Sequence, residues 1–449
     1  MDTAFTIRNQ QPASELRIHP QAATVLGLGE RKFTHVSFGT QKHYLPIRRD
    51  ADFASGQIGL SRKLIQTLYL PDYLHYELRF NPNGNELAIG PYIGLLMSKN
   101  GRNLTAANLQ RKVAYVKCYP KLHGAVVVFA LDTVDQSRRL VEGYCYHPAD
   151  HQWQKGIFPY PAAIYRTIGL NSQWKSHFAA TIGDKFFNNR FFNKWQMYQW
   201  FANEPALRPF LPETRLYQSP QDLLELLEQY QTIYIKPILG LRGRGIARVA
   251  KGINRQLLME YRQKNVNHSQ AFADPDQAWH FFAQRYQSRR YVIQPAVDLL
   301  RYQGRLLDFR CILQKNHCGD WVCQAVIGRV GVKNSVVSNI SSGGSAYIGA
   351  SILRKTLNLS EDRLNALLQR MTDLALLVCG KLNDYGFNLG TLGLDIGIDT
   401  QLRLWLIEIN NRDPDPGIAL DINDQKLFQT LQTTPLFYAK YLAGFTETL

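Results

Sequence analysis

Cysteine is scarce and unpatterned in this 449-residue sequence: six residues, at 118, 145, 311, 318, 323 and 379, with no CxxC pair among them. That excludes a zinc ribbon and a disulfide scaffold, and leaves scattered buried thiols as the expectation. Long hydrophobic runs are also missing, since no apolar stretch reaches about 18 residues. The first residues, MDTAFTIRNQQ, lack the apolar centre of a signal peptide, so no membrane association is expected and the chain is read as cytoplasmic. No Lys-Ser or Lys-Thr follows a glycine loop, which rules out a Walker A nucleotide site. No Ser/His/Asp or Cys/His spacing points to a hydrolase. Repeats, low-complexity tracts, zinc-finger spacings and a basic leucine zipper are absent as well.

What is present is a folded, aromatic-rich and basic chain. Hydrophobic residues make up 45% and aromatics 12%, enough for two or three well-filled domains. Lys and Arg number 52 against 36 Asp and Glu, a net charge of +16 spread along the chain. Such a surplus concentrates anions: nucleotides, acidic polymers or, as the second choice, nucleic acid.

The pattern along the chain predicts an α/β (α+β) protein in three parts. Residues 1–90 read as a β-rich domain, with NPNGNE at 81–86 as a hairpin turn. Residues 91–190 read as a small α/β domain around the buried strands AIGPYIGLLM and AVVVFAL. Residues 191–449 carry the candidate chemistry. There Ser219 followed by Pro220 marks a helix start, and 361–382 is an amphipathic helix with Leu364, Leu367, Leu368, Met371, Leu374 and Ala375 on one face.

Two strands near the end, LGLDIGID and LWLIEIN, hold the strongest signal. Asp395 lies in the first; Glu408 and Asn410, two apart in the second, project from one face. Three oxygen ligands on adjacent strands suit Mg²⁺, which keeps waters and takes phosphate oxygens. The alternative is a polar hairpin face turned to solvent. It fits Asp399 in the turn, whereas Glu408 sits in a strongly apolar strand and needs a partner.

A second signal is YIKPILGLRGRGIARV. Lys236 lies inside a strand, where it is costly unless it meets an anion, and Gly240, Gly243 and Gly245 follow it. Glycines allow backbone N–H groups to close over phosphates, although a plain hairpin turn explains them equally well. In YVIQPAVDLLRYQGRLLDFRCILQ, residues 294–297 could present a backbone edge to adenine. Asp308 and Arg310 alternate toward one face, for which a structural ion pair is an equal reading. Arg329 precedes a loop tipped by Gly343-Gly344 and is expected to emerge there.

In this order the pieces resemble the ATP-grasp superfamily, and most closely the YheC/YheD family of endospore coat-associated proteins. The likeness is carried by GQIGLS (56–61), ELAIGPYIGLLMS (86–98), NNRFFNKW (188–195) and RYQGRLLDFRCILQK (301–315). It implies an ATP-grasp fold behind a pre-ATP-grasp domain, with a nucleotide flap at about 205–290 and a metal-site subdomain at about 291–445. It implies that Lys194, Lys236, Gly240, Gly243, Gly245, Gln294, Pro295, Ala296, Val297 and Asp308 contact ATP. Asp395, Glu408 and Asn410 would hold Mg²⁺, with two ions expected, and Arg310 and Arg329 would be catalytic. Arg329, Asn339, Gly343 and Gly344 would contact substrate. The implied activity is ADP-forming ligation of a carboxylate to an amine, with an anionic or peptide substrate and spore coat components as candidate partners. Two departures stand out: Leu241 follows Gly240 where a serine is usual, which removes a hydroxyl contact to phosphate, and Ser341-Ser342 replaces a basic pair, which bears on substrate identity. A coat-assembly protein that binds ATP without turnover, and a basic module for an anionic polymer, are the alternative readings.

Overall fold

The computed structural model describes residues 4–10, 14–240, 244–252, 256–263, 266–333, 343–412 and 414–446. Strands between Phe5 and Gly90 close into a barrel, and the NPNGNE turn joins strands His75–Asn81 and Glu86–Gly90 in an antiparallel pair. A six-stranded sheet follows, with Tyr92–Ser98 and Ala125–Asp135 parallel at its centre. Residues 125–130, AVVVFA, are all buried because this strand is flanked on both sides. The α/β alternation expected here is interrupted after that strand, where Ala125–Asp135, Leu140–His147 and Gln152–Pro159 form an antiparallel meander. It resumes at Ala163–Arg166, which runs parallel to Tyr92–Ser98 and is joined through helix Ser172–Ile182 to the parallel strand Phe186–Phe187.

Two further sheets build the remainder. In the first, Arg215–Leu216, Tyr291–Pro295, Thr232–Pro237, Ala247–Lys251, Leu257–Gln263 and Val266–Phe272 lie side by side in that order. Its helix Pro220–Gln229 begins at Ser219, whose N–H donates to Asp222 at 2.7 Å, closing the expected cap. The second is the site sheet, in the order Ser345–Ile348, Trp321–Val330, Arg305–Lys315, Thr391–Ile398 and Leu404–Asn410. Helix Glu361–Asp384 covers one of its faces through Leu364, Leu367, Met371, Leu374 and Ala375, as its period predicts. All six cysteines are free; Cys318 is exposed in a turn, contrary to the expectation of burial.

The final helix, Gln425–Leu442, bridges two units: Leu427, Phe428 and Leu431 pack with Ile312 and Ile327 of the site sheet, and its second half extends beyond it. Leu436, Tyr438, Ala439, Ala443 and Phe445 enter the core shared by the barrel and the central sheet. Lys440, whose side chain is 4% exposed, pairs with barrel residue Glu77 at 2.5 Å. Removing one partner of a buried pair leaves an uncompensated charge, so Glu77→Ala is expected to cost about 3–5 kcal/mol in urea unfolding. A loss below about 1 kcal/mol would mean that the helix does not depend on this anchor.

Candidate functional site

The site sheet places its charged residues through strand register. Asp308 stands opposite Arg329, Arg310 opposite Asp395, and Asp395 opposite Glu408. Arg310 donates to Asp395 through Nε at 2.5 Å and Nη2 at 3.2 Å. Arg329 donates to both Asp308 oxygens at 2.7 and 2.6 Å, and its Nη2 lies 3.0 Å from Asp395 Oδ2. Burial alone would raise the Asp395 carboxyl; the Arg310 and Arg329 guanidiniums outweigh it and hold the pKa below the usual carboxylate range. Arg329 therefore does not emerge at the glycine-tipped loop. It is 5% exposed, and two strand carboxylates turn it inward.

Strict alternation would put Glu408 on the core side with Leu404 and Leu406. A bulge prevents this: Asp395 pairs with Glu408 but Ile396 with Leu406, so Ile407 is an extra residue. Beyond it the phase reverses. Ile409 enters the core, while Glu408 and Asn410 face outward, with Asn410 Nδ2 3.4 Å from Asp395 Oδ2.

Cations approach from the other elements. Lys194 begins a helix capped by Asn193 and Gln196, and its Nζ reaches Glu408 Oε1 at 2.9 Å and the Gly240 carbonyl at 3.5 Å. Lys236 donates to Gln294 at 2.6 Å, and Gln294 in turn donates to Thr214 at 2.7 Å. Burial, then the neighbouring Lys194, pull the Lys236 ammonium down to about 8, against the opposing pull of Glu408 and Asp308. Three carboxylates thus meet four cations, an arrangement with a net demand for an anion.

Other expected contacts are distributed less tidily. Ala296 N–H donates to Thr232 and Val297 C=O accepts from Leu299, so part of the hinge edge is already bonded. Pro295 pairs with Ile233 in the sheet. Gly245 and Gly343 take φ of +76° and +94°, backbone that favours glycine; Gly344 follows in the same turn region. Gly243 and Asn339 lie outside the described residues. Asp399 is not solvated as expected but buried, accepting from Trp405 Nε1 at 2.9 Å. A cavity of about 780 Å³ opens beside Glu408 and Asn410, bounded also by Phe191, Lys194, Arg244 and Arg412. Arg244, Asn411 and Arg412 were not picked out by sequence. The second asparagine in EINN was the available clue.

The donor set fits a hard cation in part. Glu408 and Asn410 offer oxygen ligands at the cavity, whereas Asp395 could join only by sharing an oxygen with its arginines. No cluster of three or more His, Cys, Asp or Glu suited to a metal occurs among the described residues.

The family model described as YheC/D like ATP-grasp matches residues 183–442. The chain belongs to this family. "Endospore coat-associated protein YheD" of Bacillus subtilis (strain 168) is 26% identical over 424 residues, covering 91% of this chain and 90% of that protein. YheC, of the same strain and description, is 22% identical over 310 residues, or 67% and 84%. D-alanyl-alanine synthetase A from Vibrio cholerae is similar at 11% identity and a TM-score of 0.45, over 79% of this chain and 99% of that one. The matched family model makes the fold of this YheC/D-like chain ATP-grasp, and its strand lysine falls within the matched segment.

Lys236 supplies a pH test. Below about 8 it is charged in the free protein; as pH rises through that value, an anion can bind only by restoring the proton. ADP affinity measured by calorimetry is expected to fall about tenfold from pH 7 to pH 9, with proton uptake. Lys236→Arg should flatten the profile because guanidinium stays charged. A flat wild-type profile would remove Lys236 from the phosphate site.

Proposed function

We propose that this chain is an ADP-forming ligase, joining a carboxylate to an amine at the expense of ATP. The observation that carries the reading is the convergence of Lys194, Lys236, Arg310 and Arg329 on Asp308, Asp395 and Glu408 beside a large cavity. ATP would activate the carboxylate as an acyl phosphate, which the amine attacks to give amide and phosphate. Mg²⁺, with two ions in this reading, would be held by Glu408 and Asn410 with a share of Asp395, and would neutralise phosphoryl oxygens.

The chain's own residues have separable tasks. Lys194 and Lys236 bind phosphate oxygens, and the amide chain Gln294–Thr214 aims the Lys236 ammonium. Arg310 lies partly exposed on the cluster and is the guanidinium able to meet developing negative charge; Arg329, wholly spent on Asp308 and Asp395, positions it. The segment bearing Gly240, Gly243 and Gly245 would shield the activated carboxylate from water, and Asn339, Gly343 and Gly344 would border the acceptor. Domain limits near residues 90 and 190 fit the change from barrel to central sheet to the nucleotide unit.

The double engagement of Asp395 favours a second reading, an ATP-binding protein of spore coat assembly without turnover, in keeping with the description of YheD and YheC. A screen of carboxylate and amine pairs for ADP release separates the two. Glu408→Gln is expected to lower Mg²⁺-dependent ADP release by about 10²-fold or more, with an unchanged unfolding midpoint. Full activity in that variant would sink the catalytic reading, and no ADP release with any pair from the wild type would favour the second.

A further inference from the structure

The segment NNRFFNKW contributes Lys194 to the cluster above, but most of it serves another purpose. Asn411, just beyond the Glu408 strand, clamps this segment: its Oδ1 accepts from Phe192 N–H at 3.3 Å and its Nδ2 donates to Phe192 C=O at 3.0 Å. The clamp holds the Phe191 ring against two guanidiniums. Arg166 Cζ lies 4.0 Å from the ring centre and Arg412 Cζ 5.7 Å from it.

Arg166 is fully buried at the end of strand Ala163–Arg166. Its acceptors among the described residues are backbone carbonyls only: Asn188, reached by Nε at 2.8 Å and also by Nη2, and Ile168, reached by Nη1 at 3.1 Å. A buried guanidinium held by carbonyls alone carries an uncompensated charge. Burial, then Arg412 nearby, lower its pKa to about 10. Arg412 and Arg244, both exposed at the cavity, form no ion pair among the described residues.

Among the described residues the cavity wall therefore carries Lys194, Arg244 and Arg412 against Glu408 alone, and Glu408 is already bonded to Lys194. Phe191, Met197 and Ile409 make the intervening wall apolar. Lys236 and the Arg310–Asp395 pair are not part of that wall. Cations separated by apolar surface match carboxylates on a carbon chain better than a run of phosphates.

We propose that this cavity seats the carboxylate substrate and that the substrate is itself acidic. It would be a dicarboxylate, such as an acidic amino acid or the acidic end of a peptide. Its non-reacting carboxylate lies against Arg412 and Arg244, over Phe191, with Arg166 adding positive potential from beneath. Its reacting carboxylate lies toward Glu408. The assignment rests on the ligase reading above.

Calorimetric titration of the full chain with Mg²⁺ and ADP present, using diglutamate and dialanine as probes, tests it. Diglutamate is expected to bind at least about tenfold more tightly than dialanine. Arg412→Ala, a change at an exposed side chain outside the glycine segment, should remove about tenfold of that affinity while ADP affinity moves less than about twofold. Equal binding of the two dipeptides would overturn the acidic substrate while leaving ligation intact. Equal loss of ADP and diglutamate in Arg412→Ala would overturn it too, by making the arginine a phosphate contact. Failure of ADP itself to bind the wild type would remove the ligase reading and this inference together.

Discussion

Asp395 is held by two guanidiniums reaching from two neighbouring strands, and the rest of the site is arranged around that contact. The residue is 5% exposed, and Arg310 and Arg329 together offset the burial that would otherwise disfavour its charge. Arg329 is anchored in turn by Asp308, which links three consecutive strands through side chains as well as ladder bonds. A slip of one residue in any of these strands would carry its charge to the helix-covered face. Register and electrostatics thus enforce each other.

The same pairing shapes what the site can bind. With Asp395 engaged, the outward-facing oxygen donors are Glu408 and Asn410, and Glu408 leans on Lys194. A nucleotide entering here would meet cations already balanced in part by protein carboxylates. Those ion pairs would be exchanged for phosphate contacts instead of being formed from fully hydrated groups, which limits the desolvation that binding requires.

Much of this was legible in the sequence, and the misses have physical reasons. The Leu364–Ala375 face, the Ser219 cap and the 81–86 hairpin follow from local periodicity and turn chemistry, and they appear as expected. Glu408 was singled out because an acidic residue in an apolar strand needs a partner. How it turns outward was not legible, because a bulge at Ile407 depends on the pairing strand and not on LWLIEIN itself. Arg329 was misdirected for a similar reason: its partners are 21 and 66 positions away, and no local pattern announces them. Arg166 has no motif around it that marks it in the sequence, and only the packing around Phe191 gives it significance.

The closing helix has a consequence for how the molecule is made. Lys440 and Glu77 are 363 positions apart, and Phe445 packs on Gly90 at the barrel's edge. A ribosome adding about 5–20 residues per second would release the barrel strands roughly 20–70 s before the helix that completes their core. During that interval the seam is apolar and uncovered, carrying Glu77 without its cation. This is a topology of high contact order, in which the earliest part of the chain waits on the last.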